Sequence, residues 1–214
     1  MTNVSRRLHD VTVGEQPIAR IGSLAQVPVA FVVASRLEVR EGSGRPERFT
    51  LVERTVDRPY LKDYDAGESG GPGHWASRFD LTHWGLIAAT VEGRWVGGAA
   101  IATGNQTIDM LEGRSDLAVL WDIRVAPEFR RTGVGGTIFI AVEAWSRSRG
   151  FAELKVETQD INVPACRFYE RQGCELRRVD RRAYPGLDEV QLLWYRSLDG
   201  RFSPARRESR MHRP

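Results

Sequence analysis

The chain has 214 residues, 41% of them hydrophobic, with a formal charge of +3 and a sequence pI near 9.1. That length supports one domain with a sizeable core, and the weak basic excess, concentrated at the chain ends, lacks the aromatic interleaving of a specific nucleic-acid site. Cys166 and Cys174 give neither a disulfide framework nor a metal spacing, and no apolar run approaches the ~20 residues of a membrane span. No metal, no membrane, no specific nucleic-acid partner and a cytoplasmic location are therefore expected, the N-terminus lacking a signal-peptide core.

Residues 1–26 carry scattered charge without a sustained period and read as a flexible N-terminal arm. Ala30–Val39 and Arg48–Val56 read as strands around a Glu41-Gly42-Ser43-Gly44 turn, and Ala66 to Gly73 as a surface loop. Leu86–Val91 and Trp95–Thr103 form a predicted hairpin through Glu92-Gly93-Arg94. Leu117–Val125 is β-rich, with Leu117, Val119, Trp121, Ile123 and Val125 on one face, and Pro127 ends it. After a glycine-rich loop, Val134, Ile138, Ala141, Val142 and Trp145 recur at helical spacing until Gly150. Glu153–Thr158 reads as a strand and Asn162–Gly173 as a short helix, with Pro164 in its first turn and Gly173 at its left-handed cap. Glu175–Tyr184 and Glu189–Leu198 form a closing pair joined at Pro185-Gly186. Residues 200–214 read as a basic disordered tail, which leaves 27–199 as a single domain.

The loop Arg130-Arg131-Thr132-Gly133-Val134-Gly135-Gly136 lies between strand and helix, where unpaired amides and the helix dipole favour an anion. Its glycines let a phosphate approach the backbone, and its arginines supply cationic donors. An ordinary glycine-rich turn is the alternative. A P-loop requires a lysine that is absent here, and a Rossmann site requires a third glycine where Ile138 stands. The remaining pattern, Arg130-x-x-Gly133-x-Gly135, resembles the acyl-coenzyme A loop of the GNAT acyltransferase superfamily. Downstream, Asn162, Cys166 and Tyr169 share one helix face, which resembles the second GNAT signature.

The resemblance implies a mixed α/β (α+β) fold, a mostly antiparallel sheet of about seven strands, splayed in the middle and flanked by helices. It implies acetyl-coenzyme A as cofactor, held by Arg130, Arg131, Thr132, Gly133, Val134, Gly135 and Gly136 at the pyrophosphate. Ile123 and Val125 would pair with the pantetheine arm through their backbones, and Asn162 and Cys166 would lie along it. Tyr169 would face the thioester sulfur, a homodimer is expected, and no covalent enzyme intermediate is needed.

The chemistry suits these residues. A departing thiolate with a pKa near ~8.5 can take a hydrogen bond or a proton from a phenol near ~10. Holding amine and thioester together supplies much of the acceleration. The amine must shed a proton, and Asp122 is the first candidate base; a salt bridge with Arg124, two residues on, is its alternative role.

The segment Glu157-Thr158-Gln159-Asp160-x-Asn162-x-x-Ala165-Cys166-x-Phe168-Tyr169 is more narrowly similar to the streptothricin acetyltransferases. Arg48-Phe49-Thr50 and Pro59 to Asp65 resemble that family as well. The implied substrate is a small cationic amine, a streptothricin-type or aminoglycoside-like antibiotic. Tyr60, Asp63, Tyr64, Asp65 and Trp84 are the candidate substrate lining, since carboxylates and aromatic faces attract cations; a solvated acidic loop is the plainer reading of the acids. Acetylation of a protein amino group, or non-catalytic acyl-coenzyme A binding, are the alternative functions.

Overall fold

The computed structural model describes residues 10–42, 48–66, 70–104 and 108–199. In chain order its main elements are β1 (Thr12–Glu15), β2 (Phe31–Gly42), β3 (Arg48–Lys62), α1 (Trp75–Arg78), β4 (Gly85–Val91), β5 (Arg94–Ala102), β6 (Leu117–Val125), α2 (Val134–Ser148), β7 (Glu153–Gln159), α3 (Val163–Arg171), β8 (Glu175–Asp180) and β9 (Gln191–Ser197). Two compact units are distinguished: one holds the described residues of 1–30 and 63–154, the other those of 31–62 and 155–214.

In the first unit β1, β4, β5 and β6 pair in that order, antiparallel throughout, and α2 packs on β4, β5 and β6. The predicted hairpin forms: Glu92 and Gly93 both take positive φ, 49° and 78°, which matches the twist of a tight β-turn between strands. Gly98 on β5 is needed for close approach, because a Cβ there would sit 2.7 Å from the Ile87 carbonyl and from Leu24 Cδ2.

Two expectations change in this unit. Residues 12–26 are not a loose arm. Thr12–Glu15 pair with Thr90–Ile87, and a 3₁₀ helix at Ile18–Gln26 buries Ile21 and Leu24. Its apolar residues Ile18, Ile21 and Leu24 recur every three positions, the 3₁₀ repeat, and neither a 3.6 nor a 2 period detects it. Residues 1–9 lie outside the described residues, as does the predicted tail at 200–214.

The second change is in β6. Its register with β5 shifts between the Ala100–Asp122 and Ile101–Leu120 pairs, leaving Trp121 as an extra residue. An unpaired residue reverses the alternation beyond it. Leu117, Ala118, Val119 and Leu120 are all buried, whereas after the bulge Arg124 is buried and Ile123 and Val125 are only half-buried.

In the second unit β2 and β3 make a separate two-stranded antiparallel ribbon, and β7, β9 and β8 pair in that order. β3 outruns the predicted end at Val56 and continues to Lys62. Pro59 is tolerated because the ladder is interrupted between the Val33–Tyr60 and Ser35–Thr55 pairs. The predicted turn from Ser43 lies outside the described residues. The seven sheet strands, mostly antiparallel and flanked by helices, give the mixed α/β (α+β) class that the sequence leads one to expect. Among the described residues no helix is long and apolar enough to cross a membrane.

Candidate active site

The glycine-rich loop joins β6 to α2 through a short 3₁₀ turn at Pro127–Phe129. Arg131 and Gly133 both take positive φ, 63° and 101°, and Gly133 is the N-cap of α2. Gly133, the N-cap of this 15-residue helix, makes no side-chain cap hydrogen bond, so the amides of Gly133, Val134, Gly135 and Gly136 suit a phosphate group. Thr132 donates from Oγ1 to the Phe129 carbonyl at 2.7 Å, which tightens the turn. Val134 is fully buried, so its side chain packs into the fold.

The two arginines differ. Arg131 is exposed at the loop apex. Arg130 turns back on the loop: Nε donates to the Val125 carbonyl at 2.9 Å and Nη2 to the Pro28 carbonyl at 3.1 Å. It thus brings the segment before β2 against the end of β6 and fastens the glycine-rich loop as a staple.

Asp122 and Arg124 form the ion pair weighed from the sequence. Arg124 Nε and Nη2 reach Asp122 at 2.9 and 2.5 Å, and Nη1 and Nη2 reach Asp65 at 2.8 and 3.1 Å. Nη1 also donates to the Val27 carbonyl at 3.2 Å. Burial pushes the Asp122 carboxyl above the ordinary carboxylate value, and the Arg124 hydrogen bonds oppose it. Both Asp122 oxygens already accept from a guanidinium. This is the geometry of a buried anchor, and a base needs an oxygen open to the amine.

The candidate substrate residues separate in the same way. Asp65 is committed to Arg124, and Asp63 Oδ1 accepts the Asp65 backbone N–H at 3.0 Å. Trp84 is 5% exposed and packs against Trp75, Phe79 and Trp121 with ring centroids 6.3, 5.7 and 5.3 Å away. It belongs to the first unit's aromatic core and also borders a cavity of that unit. Tyr64 is half-buried, and Tyr60 on β3 of the second unit is exposed. Glu68, which the sequence places beside Asp63 and Asp65, lies outside the described residues. A cavity of ≈ 640 Å³ in the first unit, lined by Glu15, His83, Trp145 and Arg149 among others, contains no residue of the phosphate loop.

In the second unit α3 follows β7 as expected. Asn162 caps it, Oδ1 accepting from the Ala165 N–H at 3.2 Å, and Gly173 closes it at a φ of 77°. Tyr169 is 4% exposed, its ring in edge contact with Phe168 at 5.2 Å. Cys166 is fully buried and shares a 3.4 Å contact with Thr158 Oγ1, which in turn accepts from Trp194 Nε1 at 2.8 Å. Burial pushes the Cys166 thiol up to about 12, so it is a neutral packing group. Asp160, also buried, accepts from Arg36 Nε and the Val190 N–H, both at 2.8 Å, and so ties β2 to the chain before β9.

One polar cluster escapes the sequence reading. Glu157 on β7 accepts from Tyr184 Oη at 2.5 Å, from Gln191 Nε2 at 2.8 Å and from Gln159 Nε2 at 3.3 Å. Tyr184 follows β8, and Gln191 begins β9. The period-2 spacing of Glu157 and Gln159 is the local signal; the other partners come from distant sequence.

The acetyltransferase (GNAT) family profile matches residues 51–174 of this chain. Streptothricin acetyltransferase A of Bacillus subtilis (strain 168) is 28% identical over 153 residues, covering 69% of this chain and 79% of that protein. The streptothricin acetyltransferase of Streptomyces lavendulae is 29% identical over 142 residues, covering 64% and 69%. Among solved structures, a Bacillus anthracis protein assigned as a streptothricin acetyltransferase, in complex with acetyl coenzyme A, superposes with a TM-score of 0.70 at 21% identity, covering 87% of this chain and 99% of that one. Nourseothricin acetyltransferase superposes at 0.66 and 22%, covering 88% and 99%. The chain belongs to the GNAT acetyltransferase family and is an acetyl-coenzyme A-dependent acetyltransferase.

Proposed function

We propose that this protein moves the acetyl group of acetyl-coenzyme A to a primary amine of a small polycationic molecule of the streptothricin class. The observation that carries this reading is the similarity to streptothricin acetyltransferase A, which spans 79% of that protein. The segment Glu157 to Tyr169 supports it, because its residues hold the strand-to-helix junction of the second unit together.

In this reading the amides of Gly133 to Gly136 take the pyrophosphate, with Arg131 as the exposed cation. Asn162 sits at the start of α3 along the cofactor arm. Tyr169 serves the departing thiolate as hydrogen-bond donor and acid. The amine attacks the thioester carbon directly: its nitrogen forms the new amide bond, the carbon–sulfur bond breaks, and the electron pair leaves on sulfur. Tyr169 protonates that sulfur, and a water molecule takes the proton that the amine gives up. Cys166, buried and neutral, is no nucleophile here. Asp122 acts through Arg124 as a structural anchor.

The test is coenzyme A release by the purified full chain with acetyl-coenzyme A and a panel of acceptors: nourseothricin, an aminoglycoside and a peptide with a free N-terminus. Release dependent on nourseothricin supports the reading. Release with the peptide alone replaces it with a protein amino-group acetyltransferase.

A further inference from the structure

Three of the second unit's enclosed acids are neutralised by a cation of the same unit. Asp160 is paired with Arg36 at 2.8 Å, Glu189 with Lys62 at 2.5 Å, and Glu53 with Arg167. Glu157 is built differently. It is half-buried on β7, and the three groups that hold it, Tyr184, Gln159 and Gln191, are all neutral donors.

The difference has an electrostatic consequence. Neutral donors replace much of the water that a carboxylate loses on burial, and so allow it to stay ionised and fixed in position. They cancel none of its charge. A half-buried carboxylate is also screened less than one in free solvent, so its attraction for a cation is stronger. Arginine-paired acids such as Asp160 offer no such field. Glu157 combines a carboxylate, a fixed orientation and partial access, the properties of a receptor for an ammonium group.

We infer that Glu157 anchors an ammonium group of the acceptor, with Tyr184, Gln159 and Gln191 holding its carboxylate in place; this rests on the amine-acetylating reading above. It gives the acidic role that the sequence assigns to Asp63 and Asp65 to a residue whose hydrogen-bond partners, among the described residues, are neutral. Glu157 is a binding residue in this scheme and takes no proton.

The test is calorimetric binding of nourseothricin to the full chain saturated with coenzyme A, run beside turnover with acetyl-coenzyme A. Glu157→Gln is nearly isosteric; it removes the charge and turns one acceptor oxygen into an N–H donor, which the Gln191 amide can meet by flipping. It is expected to weaken nourseothricin binding and raise its KM about tenfold or more, with the KM for acetyl-coenzyme A unchanged and kcat within about threefold. Gln191→Lys keeps the carboxylate and places a cation beside it, and should have the same effect; it decides the matter if Glu157→Gln does not fold. Unchanged nourseothricin affinity in the folded variants overturns the inference even if turnover stands. So does a fall in kcat at unchanged KM, which would make Glu157 a group in the chemical step. Binding that depends on Glu157 without turnover keeps the anchor and removes the acetyl-transfer reading. Absence of binding by the wild type removes the anchor.

Discussion

Arg124 holds Asp122 through two hydrogen bonds of 2.9 and 2.5 Å while its remaining donors reach Asp65. The guanidinium is 2% exposed, so the three charges form one enclosed unit that fastens the loop at Asp65 to β6. Removing one member of a buried ionic group leaves the others uncompensated, which costs more than the group contributes when intact. Arg124→Met should lower the stability of the fold by about 3–5 kcal/mol, read from urea unfolding. Asp65→Asn should cost less, because Asp65 is 28% exposed and water replaces part of its partner. Equal small losses for both would show that the triad is solvated.

Tyr169→Phe removes a hydroxyl and little else. If the phenol serves the departing thiolate, kcat should fall by roughly 10²-fold while the dissociation constant for acetyl-coenzyme A stays within a factor of two. Stopped-flow binding and steady-state turnover separate the two quantities. Unchanged kcat would leave Tyr169 as a packing residue of α3.

Cys166 is enclosed and its thiol is pushed up to about 12, so almost none is thiolate at neutral pH. Cys174, the other cysteine, is also buried. Native protein should therefore release no rapid colour with a disulfide reagent, and both thiols should react at the rate of unfolding when urea is added. A fast native thiol would contradict this packing.

Glu38 accepts from Arg40 at 2.8 Å and Arg54 at 2.9 Å, and these hydrogen bonds lower its carboxyl from 4.5 to about 2. A depressed carboxylate contributes stability above its unfolded value and loses it as the pH falls through the folded one. The stability difference between wild type and Glu38→Gln should be present at pH 6, shrink below about 4.5 and vanish near 2. Chemical unfolding at stepped pH checks this, and a difference independent of pH would rule the charge out as its cause.

The glycine-rich loop, α2 and α3 were legible because their signals are local. Glycines 133, 135 and 136, the spacing of Ile138 and Val142, and the Asn162 cap all act within a few residues of one another. What stayed hidden depends on distance. Trp121 reads as one more residue in an alternating strand, and only the register with β5 reveals it as a bulge that buries Arg124. Asp65 looks like a free surface acid because its partner lies 59 residues away. Trp84 at a strand entry suits the core as well as a substrate lining, and only Trp75, Phe79 and Trp121 packed against it show the core position. Glu157 falls in the matching segment, yet its meaning rests on Tyr184 and Gln191, 27 and 34 residues on. The Ile18-Ile21-Leu24 repeat was local but short, and its three-residue period matched neither helix nor strand.

Transfer of acetyl to an amine of a small polycation is tested by mass analysis of nourseothricin after incubation with the full chain and acetyl-coenzyme A. A singly acetylated product on an amine nitrogen is expected, formed in step with coenzyme A release and abolished when acetyl-coenzyme A is withheld. Unmodified nourseothricin, beside an acetylated peptide N-terminus in a parallel reaction, would contradict it.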